Sequence, residues 1–193
     1  MTLNKVYIEN DEIKNNDMFG MWLYLMSDCI LFATMFSVHI IISSHVILYT
    51  GFFNLWFVFI ETLVLLLSSV TYGLLSISAR YKKTFFVCFF LLITFALGLI
   101  FIMLESYEFY HLWKLGYKPQ NNGFLSSFFT LVGLHGIHVV LGLVWMLGLF
   151  FQILKFHINK TIYIRILCLG LFWHFLDIIW VCLFTVVYLM RSI

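Results

Sequence analysis

Apolar residues run through this chain in five blocks, near residues 18–42, 52–78, 84–104, 124–154 and 162–190, parted by short segments that carry most of the charge. Each block is at least as long as the roughly 20 residues that an α-helix needs to cross a hydrocarbon core. The pattern predicts an all-α, polytopic membrane protein with five transmembrane helices. Ahead of the first block, residues 1–17 (MTLNKVYIENDEIKNND) are polar and of mixed charge. They read as an N-terminal tail before a transmembrane domain covering 18–193. The apolar run after them is too long for a signal peptide and lacks a small-residue cleavage site, so no cleaved leader is expected.

Composition sharpens the picture. The chain is 63% hydrophobic and only 10% charged, with a mean hydropathy of +1.03. A soluble domain of this size could not bury so much apolar surface, and no room is left for a soluble catalytic domain. The net charge of +2 does not point to nucleic acid, because the 11 Lys and Arg residues are dispersed through loops rather than gathered on one face. Cys29, Cys88, Cys168 and Cys182 all lie within apolar blocks without Cys-x-x-Cys spacing, which reads as apolar packing rather than a disulfide framework or zinc site.

Charge instead sets orientation. Lys5, Lys14, Arg80, Lys82, Lys83, Lys155, Lys160 and Arg165, eight of the eleven cations, fall on one side when the helices alternate. Only Lys114, Lys118 and Arg191 fall on the other. The positive-inside rule therefore places the N-terminus in the cytoplasm and the C-terminus in the periplasm. Of the outer loops, only that between the third and fourth helices, ESYEFYHLWKLGYKPQNNG, is long enough to fold over the membrane surface. Its Tyr107, Tyr110, Trp113 and Tyr117 suit an interfacial aromatic belt.

Three carboxylates, Asp28, Glu61 and Asp177, fall within helices 1, 2 and 5. Facing lipid unpaired, each would cost about 2.5–3.5 kcal/mol or more, so each must face protein, water or a headgroup. A rise of about 1.5 Å per residue puts them in the middle half of the bilayer. Histidines join them: His174 precedes Asp177 by one turn on helix 5, and His135 and His138 repeat that spacing on helix 4. Helical periodicity gives each helix one polar seam: Asp28, Met35 and His39 on helix 1; Glu61, Ser68 and Tyr72 on helix 2; His135, His138, Gly142 and Trp145 on helix 4. Glu61, His135, His174 and Asp177 are expected to meet in one layer, with His174 hydrogen-bonding to another helix. Ser69 with Gly73, and Gly133 with Gly136, add close-packing signals.

Two chemistries compete for the histidines: ligation of haem or a metal, and hydrogen bonding to carboxylates or lipid phosphate. Bis-histidine haem needs matched histidines on two helices, which helices 2, 3 and 5 do not supply, so the second is favoured. For the carboxylates, a proton relay stands against an ordinary interhelical hydrogen bond that fixes register. A relay needs titratable groups reaching both surfaces, whereas these gather near one depth, and the structural role is favoured. On that basis, removing the Glu61 or Asp177 carboxyl is expected to weaken assembly by leaving partners unpaired.

The segments FGMWLYLMSDCILFATMF (19–36), ETLVLLLSSVTYG (61–73), LVGLHGIHVVLGLVW (131–145) and LFWHFLDIIWVCLFTVVYL (171–189) together resemble subunit III of the haem–copper respiratory oxidases. The similarity runs in order from about residue 18 to the end. The E-T-x-x-L-L-x-S-S, H-G-x-H-V and W-H-F-x-D-x-x-W runs are specific in combination. Having five helices rather than seven, and reading YLMSDCILFAT, EFYHL and CLGLFWHFLDIIW, the chain is most similar to the group that serves bo-type ubiquinol oxidases.

The resemblance implies a non-catalytic, cofactor-free subunit of a proton-pumping terminal oxidase in a bacterial inner membrane, with haem and copper in subunit I. It also implies subunits I, II and a small subunit IV as partners, and two helix groups around a cleft that holds phospholipid. Carried over by motif as conspicuous polar positions are Glu61, His135, His138, His174 and Asp177, none a redox ligand. With Asp28 they are the structural, lipid-binding or proton-related residues. The alternatives are an independent proton-coupled transporter, which the lack of an inverted repeat disfavours, and the related accessory subunit of a nitric oxide reductase.

Overall fold

The computed structural model describes residues 2–43, 55–116, 123–156 and 158–189. Every secondary-structure element among these residues is helical: α1 (Thr2–Ser43), α2 (Leu55–Arg80), α3 (Thr84–Lys114), α4 (Gly123–Phe156) and α5 (Lys160–Leu183), the last continuing into a π-helical turn, Phe184–Leu189. All five are long and apolar enough to cross a membrane. The protein is a multi-pass membrane protein, as its apolar blocks predict.

The third helix departs from the expected 84–104. It runs ten residues further, to Lys114, because ESYEFYHLWK contains neither Pro nor Gly and buries Glu105 and Leu112 on its inner side. It stops where Gly116 takes a left-handed φ of 84° and its N–H bonds to the Trp113 carbonyl, a common glycine-assisted helix end. Most of the expected outer loop is therefore helix. Tyr107, Tyr110 and Trp113 are exposed on it, with the Lys114 ammonium 4.8 Å from the Tyr110 ring centre; Tyr117 lies outside the described residues.

Helix α5 is central: 61% of its apolar span is buried within the chain, against 17% for α1. It packs on α2 and α4, while α2 pairs with α3, α3 with α4, and α1 lies against α4 and α5. The outer faces, such as Phe19, Ile30, Trp56, Phe85 and Phe151, are exposed apolar surface of the kind lipid covers.

Close approach occurs at glycines other than Gly73 and Gly133. A Cβ on Gly73 or Gly133 would meet nothing within 4 Å, so neither glycine permits a helix contact. The tight places are Gly98, Gly136, Gly142 and Gly170, where a Cβ would come within 2.7–3.0 Å of Leu143, Glu105, Trp173 and Tyr72 respectively. Glycine here makes room for large side chains rather than for a second backbone.

Candidate functional site

The periodic seams point inward. Asp28 and His39 on α1, Glu61, Ser68 and Tyr72 on α2, and His135, His138 and Gly142 on α4 are all buried. They lie at three helix interfaces.

Between α1 and α4, Asp28 Oδ2 lies 3.6 Å from His138 Nε2, an ion-pair distance. The other ring nitrogen, Nδ1, lies 2.8 Å from the Leu134 carbonyl, to which it must donate because a carbonyl only accepts. Nε2 therefore confronts the carboxyl with either a lone pair or a second proton. Attraction requires one proton between the two groups, as imidazolium with carboxylate or imidazole with carboxylic acid. Farther along the same interface His39 Nδ1 lies 3.0 Å from Ser127 Oγ. We expect a double-mutant cycle of Asp28→Asn and His138→Phe to return a coupling of about 1 kcal/mol, in the range of interhelical polar pairs in membranes. Additive effects on thermal unfolding would show that the two side chains do not interact.

Between α2 and α5 the contacts repeat along the helices. Tyr72 donates its hydroxyl to the Ile166 carbonyl at 2.7 Å, Trp173 Nε1 donates to Ser68 at 3.1 Å, and Trp180 Nε1 donates to Thr62 at 3.2 Å. Ser69 Oγ lies 2.7 Å from His174 Nδ1, the expected bond to another helix, and that nitrogen is 3.8 Å from Asp177 Oδ2. Each indole buries its ring and finds a hydroxyl for its N–H, so these tryptophans set the rotation of α5 against α2.

The third group lies among α2, α3 and α4. Glu61 and His135 are fully buried, and neither the Glu61 carboxyl oxygens nor the His135 ring nitrogens have a hydrogen-bond partner among the described residues. Glu105 and Glu108 of α3 supply the carboxyls nearest in effect to Glu61. The Glu105 carboxyl rests against Gly136, beside His135. His135 itself packs with Phe101 and Trp180, ring centres 5.9 and 5.1 Å away. Glu61 and His135 thus make no hydrogen bond to His174 or Asp177. Of the four side chains expected to meet, His174 and Asp177 do so at 3.8 Å, while Trp180 and Phe101 fill the space beside His135.

Sequence reasoning missed Glu105, which it left in a loop, and the indole anchors Trp173 and Trp180, which it counted only within a motif. Their spacing of two helical turns, seven residues, set against Thr62 and Ser68 six residues apart on α2, was the available signal. Among the described residues no three His, Cys, Asp or Glu side chains gather as a metal site, and the cysteines described are free thiols. The arrangement can hold helices in register and keep carboxyls and imidazoles at fixed buried positions.

Comparison with known proteins covers nearly the whole chain. Residues 9–192 match the family described as cytochrome c oxidase subunit III. A cytochrome bo(3) ubiquinol oxidase subunit 3 of Buchnera aphidicola from Schizaphis graminum is 50% identical over 182 residues, 93% of this chain and 96% of the relative. The protein of the same name from Pseudomonas putida is 48% identical over 90% of this chain and 85% of its own length. A probable quinol oxidase subunit 3 of Staphylococcus aureus is 38% identical over 90% and 89%.

Proposed function

The chain belongs to the cytochrome c oxidase subunit III family, and we propose that it is the non-catalytic third subunit of a ubiquinol oxidase, which couples ubiquinol oxidation and oxygen reduction to proton translocation. The observation that carries this is identity of 45–50% over at least nine-tenths of the chain to proteins named as that subunit. Those names favour the oxidase over a free transporter or a nitric oxide reductase accessory.

Haem and copper belong to subunit I in this reading, and this chain contributes packing and polar positions. It is placed in a bacterial inner membrane with the N-terminus cytoplasmic and the C-terminus periplasmic, supported by the side on which its cations gather. Subunits I, II and a small subunit IV are its partners, and phospholipid occupies a cleft between helix groups. The extensive apolar exposure of α1 suits it to lie against such neighbours or their lipid. The division into 1–17 and a transmembrane domain from 18 onward follows from composition. Asp28 with His138, and Ser69 with His174 and Asp177, act as register-fixing pairs, with Glu61 and His135 held beside them. Their effect on catalysis is indirect: they hold the shape against which subunit I keeps its proton-uptake route, without touching a redox centre.

The test is purification of the tagged chain from mild-detergent extracts. We expect it to bring down a haem-bearing partner and ubiquinol-dependent oxygen consumption, and to lose the Soret band once dissociated from that partner. A chain that purifies alone from respiring membranes would overturn the assignment, and a Soret band that stays with the separated subunit would overturn its cofactor-free character.

A further inference from the structure

The end of the bundle that carries the α2–α3 and α4–α5 connections holds a cavity of about 360 Å³, lined by Ala79, Arg80, Lys82, Ile158, Asn159, Lys160 and Tyr163. Three of the seven are cations and none is acidic. The volume falls within the roughly 300–1,000 Å³ typical of small-ligand sites.

Backbone geometry helps to build it. Lys82 is the only non-glycine residue with positive φ among those described, at 54°. It is the left-handed residue that caps the C-terminus of α2. It sits in the tight α2–α3 turn, where its N–H bonds to the Ala79 carbonyl at 3.1 Å and Lys83 N–H to the Ser78 carbonyl at 3.3 Å. The turn thereby carries Lys82 to the cavity beside Arg80. On the opposite wall Asn159 occupies the N-cap of α5 in extended conformation without a side-chain capping bond. The positive end of a 24-residue helix therefore adds to the cationic wall.

We propose that this cavity is a binding site for an anionic phosphate, as borne by an anionic phospholipid headgroup or by inorganic phosphate. The cations supply charge and directed donors, and the helix end favours negative charge at the same place. Ala79, Ile158 and the ring of Tyr163 form apolar wall next to the cationic rim, which suits the glycerol and first acyl carbons of a lipid lying at a membrane surface. The site is built from this chain's own residues and does not rest on the oxidase assignment.

The experiment uses the full-length chain purified with whatever subunits accompany it, and measures retention of fluorescent phosphatidylglycerol against phosphatidylcholine in detergent. At about fivefold per cation near a charged surface, Arg80→Gln with Lys82→Gln should weaken phosphatidylglycerol retention roughly twenty-five-fold, and Arg80→Lys with Lys82→Arg should restore it. Displacement by excess inorganic phosphate identifies free phosphate as the natural occupant; resistance identifies the lipid. If the double variant cannot be purified, Lys160→Gln alone should show a roughly fivefold loss. Unchanged retention in the neutralised variants, or equal retention of the zwitterionic lipid by the parent protein, overturns the proposal.

Discussion

Gly170→Leu is expected to destabilise the folded chain by about 3 kcal/mol, lowering the thermal midpoint of the purified protein by about 6–12 °C. A Cβ at Gly170 would lie 2.8 Å from Cε1 of Tyr72, a side chain only 1% exposed. The ring has no cheap retreat, since its hydroxyl is tied to the Ile166 carbonyl one turn earlier on the same α5. Accommodating leucine must push Tyr72 away and break that bond, adding a lost hydrogen bond of about 1 kcal/mol to overpacking. Alanine isolates the contact. Gly170→Ala should retain a loss of about 1 kcal/mol, whereas Gly73→Ala, whose Cβ meets nothing within 4 Å, should stay within about 0.5 kcal/mol of the parent. Equal effects at the two glycines would show that the α2–α5 contact does not limit stability.

Glu61→Leu should leave stability unchanged or raise it, by up to about 2 kcal/mol, with the initial rate of oxygen consumption of the assembled complex within about twofold of the parent. This reverses the direction expected from the sequence, which assumed a hydrogen-bond partner for every intramembrane carboxyl. Glu61 has none among the described residues, and the carboxyls near it are those of Glu105 and Glu108. Leucine therefore removes an unpartnered buried polar group without stranding a donor. Asp177→Leu differs, because His174 loses a contact at 3.8 Å, and a fall in recoverable complex is expected there. A Glu61→Leu complex that is stable and haem-replete yet inactive from the first turnover would establish that carboxyl as an obligatory proton carrier.

Which residues face inward was legible because a helix fixes its own faces. Glu61, Ser68 and Tyr72 share one side of α2 by spacing alone, and all three are buried. Which inward faces touch was not legible, since periodicity carries no information on the rotation of one helix against the next. Glu61 and Asp177 were accordingly expected together, while the α2–α5 seam is keyed by Trp173 and Trp180, whose rings read as apolar but whose N–H groups choose Ser68 and Thr62. Glu105 was lost for a different reason. Hydropathy falls in ESYEFYHLWK although helix-forming capacity persists to Gly116, so a span cut on hydropathy excludes a residue that the helix buries.

The position of α1 against α4 and α5 has a consequence for biosynthesis. Asp28 enters the membrane with the first span, but His138 follows 110 residues later in the chain. At a synthesis rate of about 5–20 residues per second that interval is on the order of 5–20 s. During it α2 and α3 can close as a hairpin, being joined by a short turn and packed on one another, whereas α1 has neither of its docking helices. A carboxyl costing about 2.5–3.5 kcal/mol in hydrocarbon must then be sheltered by the insertion machinery or drawn toward the headgroups. Nascent chains arrested before α4 should consequently hold α1 loosely and expose it to quality-control proteases, making its late docking a checkpoint in maturation of the subunit.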